Sequence, residues 1–378
     1  MRLLHTSDWH LGKSDGETSL LSDQQYFIDE ICEIIKEQRI DAVLIAGDVY
    51  DRAIASADAI ALYDKAMTDI CLGCNIPVLI IAGNHDSAER LAACSKLLSK
   101  AGLFVCGELC SDVSPVVFDD AEIFLLPWIT EEKVKSVFPE EKERISDLTT
   151  AYAVVTDKMR IHFSEGKKHI IVAHAFITNA ETSTSDRAAE IGFATQVPSC
   201  VFDGFDYIAL GHIHGPQKIS DSIRYCGTPM PYSFGKEEKQ VKGVVILDTE
   251  SMEQEFVPLK LLHSRTTLEG TLNEIMNPAC DEICEGYVRL RITDSYVGLE
   301  TLSELKKIYR HPLEVSGKSF ERDGSSVTLS TQELERMEND PVEVFRFFCR
   351  EEMNTDADEH LTELFINAVN KSEEEEAK

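Results

Sequence analysis

The chain has 378 residues, 43% of them hydrophobic, which suits a core of about 250 residues with smaller appendages. Its formal net charge of −30 argues against autonomous nucleic-acid binding, which leaves a basic footprint: either the substrate is not a polynucleotide or a partner supplies most of the attraction. No apolar run reaches the roughly 18 residues of a membrane span, and the start has neither an h-region nor a cleavage site, so a cytoplasmic protein is expected.

In chain order, Arg2–His5 is a short apolar run that reads as a buried strand and ends at Asp8-Trp9-His10. Ser22–Gln38 places Phe27, Ile31, Ile34 and Ile35 at helical spacing. The strand Ala42–Ala46 follows and runs into Gly47-Asp48-Val49-Tyr50-Asp51-Arg52. A helix over Ala55–Cys71 leads to the strand Val78–Ala82 and to Gly83-Asn84-His85-Asp86; another helix is expected over Ser87–Lys100. Apolar surface on these two helices could pack a dimer, with plain core packing the simpler use. Short strands at Val116–Val117 and Glu122–Pro127 precede a helix-rich insertion to about Gly166. Strands Ile170–Ala173 and Tyr207–Leu210 then end at His174 and at Gly211-His212-Ile213-His214. Ser222–Cys226, Gly243–Asp248 and Gln254–Pro258 read as a β-meander closing a second sheet. Two packed sheets flanked by helices give a four-layer α/β/β/α sandwich over residues 1–262.

Residues 263–338 read as a separate small α+β module, with strands Arg265–Leu268, Tyr287–Thr293 and Leu313–Val315 and helices near Leu272–Met276 and Leu299–Tyr309. Beyond Asn339-Asp340-Pro341, residues 339–372 hold two helices, Val342–Glu352 and Glu359–Asn370. Their apolar stripes are Val344, Phe345, Phe347, Phe348 and then Leu361, Leu364, Phe365, Val369. The end, 373–378, is an acidic tail. The 11 cysteines are odd in number and scattered, which favours reduced thiols over a disulfide framework.

Five strands therefore each hand over to a loop rich in metal ligands. In a layered α/β fold, loops at one end of the sheet converge where ligands bind. Asp8 and His10 are one residue apart, so an extended strand end would turn both to one side, as with His212 and His214. Asp48 has two oxygens and can bridge two cations. Asn84 offers a neutral amide oxygen, and His174 arrives alone. Imidazole and oxygen donors without thiolates suit Mn, Fe or Zn, and a dinuclear site of this kind cleaves phosphate esters. His85, beside Asn84, is placed to face substrate and donate a proton to the leaving oxygen, with Asp51 holding its ring. Arg52 could contact a phosphoryl oxygen. His5 and Trp9 read as packing residues, while His162, His169, His263, His311 and His360 have no convergent partners in the sequence.

This series of motifs resembles the calcineurin-like metallophosphoesterase superfamily. Met1–Lys13, Gly83–Leu91, Gly211–Gln217 and Tyr225–Gly235 are similar to bacterial DNA-repair nuclease subunits of the SbcD family, a likeness spanning about residues 1–260. The resemblance implies two manganese ions. One would be held by Asp8, His10, Asp48 and His214, the other by Asp48, Asn84, His174 and His212, with Asp51 and His85 as the catalytic pair. It also implies that the α+β module is a capping domain. The C-terminal helices would dock on an SMC-like ATPase of the SbcC type, with a homodimer of the nuclease subunit inside a heterotetramer acting on DNA. A phosphomonoesterase or cyclic-nucleotide phosphodiesterase on the same core is the alternative, and a non-catalytic scaffold is the third.

Overall fold

A computed structural model describes residues 1–317 apart from 17, 179, 184–195 and 296, then Thr328–Ser330 and positions 342, 345, 346, 349, 361, 362 and 364–366. One compact unit takes Met1–Asp15 and Ser19–His263; the other takes Gly16–Thr18 and the chain from Ser264 onward.

The first unit is built on two six-stranded sheets. In one, the order is Gln254–Pro258, Gly243–Asp248, Arg2–Thr6, Ala42–Ala46, Val78–Ile81, Leu103–Cys106. The last four strands run parallel, while Gly243–Asp248 pairs antiparallel with Arg2–Thr6. In the other, the order is Gln217–Lys218, Ile223–Tyr225, Tyr207–Gly211, Lys168–His174, Ala121–Leu126, Val116–Val117, with the middle four parallel. Strands covered on both faces must be apolar on both, which is why Ala42–Ala46, Val78–Ile81 and Ile170–Ala173 are continuous apolar runs.

Leu3, Leu44, Leu79 and Leu247 of the first sheet pack with Ile123, Ile170, Val172 and Tyr207 of the second, forming the inner core. Outside the second sheet, the helix Leu148–Arg160 packs Tyr152, Val155 and Met159 on Phe124, Ile171 and Ile208. The register pairs Gly211 with His174, and Ala46 with Ile81, so these parallel strands release their chains at one level.

Three expectations are corrected. The meander is not one sheet: Ile223–Tyr225 lies in the second sheet, whereas Gly243–Asp248 and Gln254–Pro258 close the first beside Arg2–Thr6. The 17 residues between Tyr225 and Gly243 are long enough to change sheets, which a local pattern does not reveal. The helix over Ser87–Lys100 is broken into Ala88–Leu91, Ser95–Leu98 and a 3-10 turn at Ser99–Ala101, because Cys94 sits in the left-handed region at φ 59. The helix Ala57–Thr68 stops earlier than expected and widens into a π turn over Asp69–Gly73.

The second unit has its own sheet, ordered Arg265–Gly270, Tyr287–Ile292, His311–Ser316, Thr328–Ser330, with the first three strands parallel. Val288, Leu290, Leu302, Leu305 and Tyr309 form its core. Positions 342, 345, 346 and 349, and 361, 362 and 364–366, are helical, and the rings of Phe345 and Phe365 stack at 4.3 Å and 7°. Val344, Phe347, Phe348, Val369 and the tail 373–378 lie outside the described residues. No described helix is long and apolar enough to cross a membrane.

Candidate metal centre

The loops at the carboxyl ends of the strands are held in unusual backbone shapes. Asp8 (φ 53), His10 (φ 45), Asp48 (φ 49) and His212 (φ 101) all have positive φ, where side-chain-bearing residues are strained by about 1–3 kcal/mol each. Asp8 and His10 are therefore not at an extended strand end, as the one-apart spacing suggested. They converge because two left-handed residues flank Trp9, which is fully buried beneath them and donates Nε1–H to Thr6 Oγ1 at 3.0 Å. The amides of Asp8 and His10 donate to the carbonyls of Gly47 and Asp48, both at 3.0 Å, clamping the first loop to the second. The glycines that precede the ligands are demanded by close approach. A Cβ on Gly83 would strike the Asp48 carboxylate, and one on Gly211 would strike the Ala46 carbonyl.

The expected ligand residues come together in two groups. His10 Nε2 faces His214 Nε2 at 3.1 Å, and Asp8, His10 and His214 offer ligand atoms within 4.8 Å of one another. Across the site, His174 Nε2 lies 2.9 Å from Asn84 Oδ1 and 3.2 Å from His212 Nδ1, which is itself 3.1 Å from Asn84 Oδ1. Asp48 stands between the groups: its Oδ2 is 3.4 Å from His174 Nε2 and 3.9 Å from His10 Nε2. Asp48 Oδ1 accepts the His85 amide at 2.8 Å, which fixes the carboxylate plane. His174 donates Nδ1–H to the Ala46 carbonyl at 2.8 Å, so Nε2 is the nitrogen that faces the site and the one a cation would take in place of a proton.

These residues fit divalent cations on two grounds. Spacings near 3 Å among three donor atoms match the edges of a coordination shell with bonds of about 2.1 Å. Charge agrees as well. Burial lowers His10 and His212 well below the ordinary histidine range, leaving neutral rings, the form that ligates a metal. Burial also pushes the Asp8 carboxyl up to about 6, a cost that a cation would reverse. For Asp48, burial works upward but is outweighed by the neighbouring histidines, chiefly His174, so its pKa is well below the usual range. Burial opposes a charged His174 too, yet Asp48 beside it holds the ring up to about 9.

His85 points its Nε2 toward the centre, 3.9 Å from Asp48 Oδ2. Its Nδ1–H donates to the main-chain carbonyl of Asp51 at 2.8 Å. Asp51 thus holds the ring through its backbone, where a carboxylate contact was expected. The Asp51 carboxylate is 2.9 Å from Lys13 Nζ and 3.8 Å from His10 Nδ1, within the same 4.8 Å cluster as His10 and His85. Arg52 is 78% exposed and rests its Nε 3.5 Å from the Asp51 carboxylate.

Sequence reading gave no role to Asp86, yet its carboxylate accepts from the amides of Val49, Tyr50 and Gly83 at 3.1, 2.9 and 2.9 Å, tying the Asp48 and Asn84 loops together. The one available signal was an acid in a turn, a residue type that caps nearby amides. Also unforeseen were Trp128, whose ring stacks on His212, and the fully buried pair Glu237–Lys242. Lys242 Nζ donates to the His214 carbonyl at 2.8 Å and to Glu237 Oε2 at 2.9 Å. His5 is buried between the Tyr207 hydroxyl and the Leu210 carbonyl, as expected of a core residue. Two histidines read as partnerless do have acidic neighbours: His169 Nε2 is 3.5 Å from Glu122, and His263 Nδ1 is 3.1 Å from Asp23. His360 lies outside the described residues.

Among solved structures, a novel archaeal phosphodiesterase is 16% identical over 68% of this chain and 100% of its own, with a TM-score of 0.32. The protein TT1561 of Thermus thermophilus is 12% identical, covering 68% of this chain and 99% of its own, with a TM-score of 0.38. A dimetal phosphatase from Danio rerio is 15% identical, with 60% and 86% covered and a TM-score of 0.36. None of these likenesses bears on the substrate. The calcineurin-like phosphoesterase family matches residues 1–216, more than half of the chain. With that match, and with the histidines, carboxylates and amide gathered at the strand ends, the chain belongs to the calcineurin-like phosphoesterases, hydrolases that use divalent metal ions.

Proposed function

We propose that the chain is a metal-dependent DNA nuclease subunit that hydrolyses phosphodiesters at a two-cation site. The observation that carries the hydrolytic part is the position of Asp48 between two separate donor groups. One cation would be held by Asp8, His10, Asp48 and His214, and the other by Asp48, Asn84, His174 and His212. Manganese is the cation we assign, on nitrogen and oxygen donors without thiolates. Divalent cations bound there supply Lewis acidity at the phosphoryl group and lower the pKa of water.

The protein's own groups do the rest. The Asp51 carbonyl holds Nδ1–H of His85, so a protonated His85 presents Nε2–H to the site as general acid for the leaving oxygen. Ala46 and Asp86 fix the His174 ring and the Asp48 and Asn84 loops. Arg52, exposed and loosely paired, can turn to a phosphoryl oxygen.

The DNA reading rests on the motif likeness at Met1–Lys13, Gly83–Leu91, Gly211–Gln217 and Tyr225–Gly235. A second compact unit beyond His263, read as the capping domain, is consistent with it. The net charge of −30 favours a division of labour in which an SMC-like ATPase of the SbcC type provides the DNA grip, with two nuclease subunits in a heterotetramer in the cytoplasm. The same charge keeps a second reading in play, a phosphodiesterase or phosphomonoesterase for small substrates. Side-by-side assays on linear duplex DNA, bis-p-nitrophenyl phosphate and p-nitrophenyl phosphate, with Mn2+ and with EDTA, decide between them. Metal-dependent DNA cleavage is expected. Turnover of the small esters with intact DNA, in the presence of the co-purified ATPase, overturns the nuclease assignment.

A further inference from the structure

The geometry points to Trp128 as the residue that positions the Asn84, His174 and His212 group for its cation. This rests on the two-cation reading above. Trp128 follows the strand Ala121–Leu126, at whose end the sequence placed no functional residue. Its ring stacks on His212, with centroids 5.2 Å apart and planes at 27°, and meets His174 edge-on at 5.9 Å and 74°. Its amide donates to the Ala82 carbonyl at 2.9 Å, two residues before Asn84. One residue therefore touches the rings of two members of the group and is tied to the strand end that carries the third.

The need for such a support is local. The His212 amide is held by the Asp8 carboxylate at 2.9 Å, so the main chain at φ 101 is fixed. The direction of Nδ1 is left to what packs against the ring, Trp128 on one contact and Phe176, tilted at 6.1 Å, on another. A flat indole face inclined 27° to the imidazole restricts rotation about the last side-chain bond and keeps Nδ1 aimed at Asn84 and His174. Trp128 is not a ligand, because the indole N–H has no lone pair to give. It acts through His212. The first donor group, Asp8, His10 and His214, has no comparable tie to Trp128: among the described residues, His10 and His214 meet Tyr232 instead. The ring contacts of Trp128 thus fall on the group of Asn84, His174 and His212, and its effect is greatest at that cation.

The test is calorimetric titration of Mn2+ into the metal-free full chain, comparing wild type with Trp128→Phe and Trp128→Leu. Phenylalanine keeps a flat ring; leucine keeps apolar bulk but no face. Wild type is expected to bind two cations. Trp128→Phe should hold both within about twofold, whereas Trp128→Leu should lose about 10–100-fold in one step, the span found for groups that orient metal ligands, with the other step affected less. Wild-type affinity at both steps in Trp128→Leu overturns the inference, and so does equal weakening of both. A wild-type chain that takes up only one cation overturns the two-cation reading, and this inference with it.

Discussion

Nε2 of His174 lies 2.9 Å from Oδ1 of Asn84, although 90 residues separate them and they arrive from different sheets. The centre is thus assembled across the seam between the two sheets. Each sheet contributes part of each donor group, and Asp48 joins them.

Replacing Asp48 with Asn keeps the side-chain shape and removes its charge. Cation content should fall, and turnover should drop by more than the roughly 10–100-fold associated with outer partners. Elemental analysis and steady-state rates on purified protein check this. Full activity with two cations bound would refute the bridging role.

His85→Gln should retain both cations and lose on the order of 10²–10⁴-fold in kcat, the usual contribution of a general acid. Its pH–rate profile should also lose the limb that reports a protonated group. A missing cation in this variant would mean that His85 is a ligand.

The metal-free protein should lose stability as pH rises from 7 to 9. The His174 pKa is raised from 6.5 to about 9 in the fold, so its contribution is fully present below 6.5 and is lost as pH climbs through 9. His5, His10 and His212 are lowered by burial and act with the opposite sign, but only below about pH 6.5. Thermal unfolding in EDTA at pH 7, 8 and 9 should show a falling midpoint. Saturating Mn2+ should flatten the slope between pH 7 and 8, because a bound cation displaces the His174 proton. The thiols of Cys32, Cys71, Cys106 and Cys226, pushed up by burial, keep a smaller loss toward pH 9. A midpoint that rises over this range in EDTA contradicts the assignment.

Lys242→Met leaves the Glu237 carboxylate in a fully buried site without its cation. A loss of about 3–5 kcal/mol is expected by denaturant unfolding. Adding Glu237→Gln should recover part of that loss, since the uncompensated charge is gone. An unchanged midpoint in the single variant would show that the network does not support the His214 loop.

A chain ending near Asn339 should keep its cations and basal hydrolysis, since the last expected ligand is His214. It should lose co-purification with a coiled-coil ATPase and any ATP-stimulated cleavage of duplex ends. The stacked pair Phe345 and Phe365 leaves Leu364 exposed on the same helix, a position where Leu364→Glu should weaken that association without truncation. Undiminished binding by the shortened chain would place the docking surface elsewhere.

Much of the fold was legible because its strands are covered on both faces. Burial forces Ala42–Ala46 or Ile170–Ala173 to be continuously apolar, and the polar residues that follow then stand out. The break at Cys94 and the change of sheet after Tyr225 were not legible, since neither breaks a local hydrophobic period. Asp51 illustrates the same boundary within the site. Its place next to His85 followed from the motif, but the group that contacts the ring is a backbone carbonyl, and every residue has one.

The sequence by itself determined which side chains stand at the ends of which strands, because strand and loop signals depend on neighbours a few residues apart. The division of those side chains into two groups about Asp48 was implied by the motif likeness, and only the tertiary structure supplied the distances within each group. It alone set the left-handed backbone at Asp8, His10 and His212, and brought Asp86, Trp128 and Lys242 in as supports. Those relations join residues tens to hundreds of positions apart, and they are fixed by how two sheets pack, which no local pattern encodes.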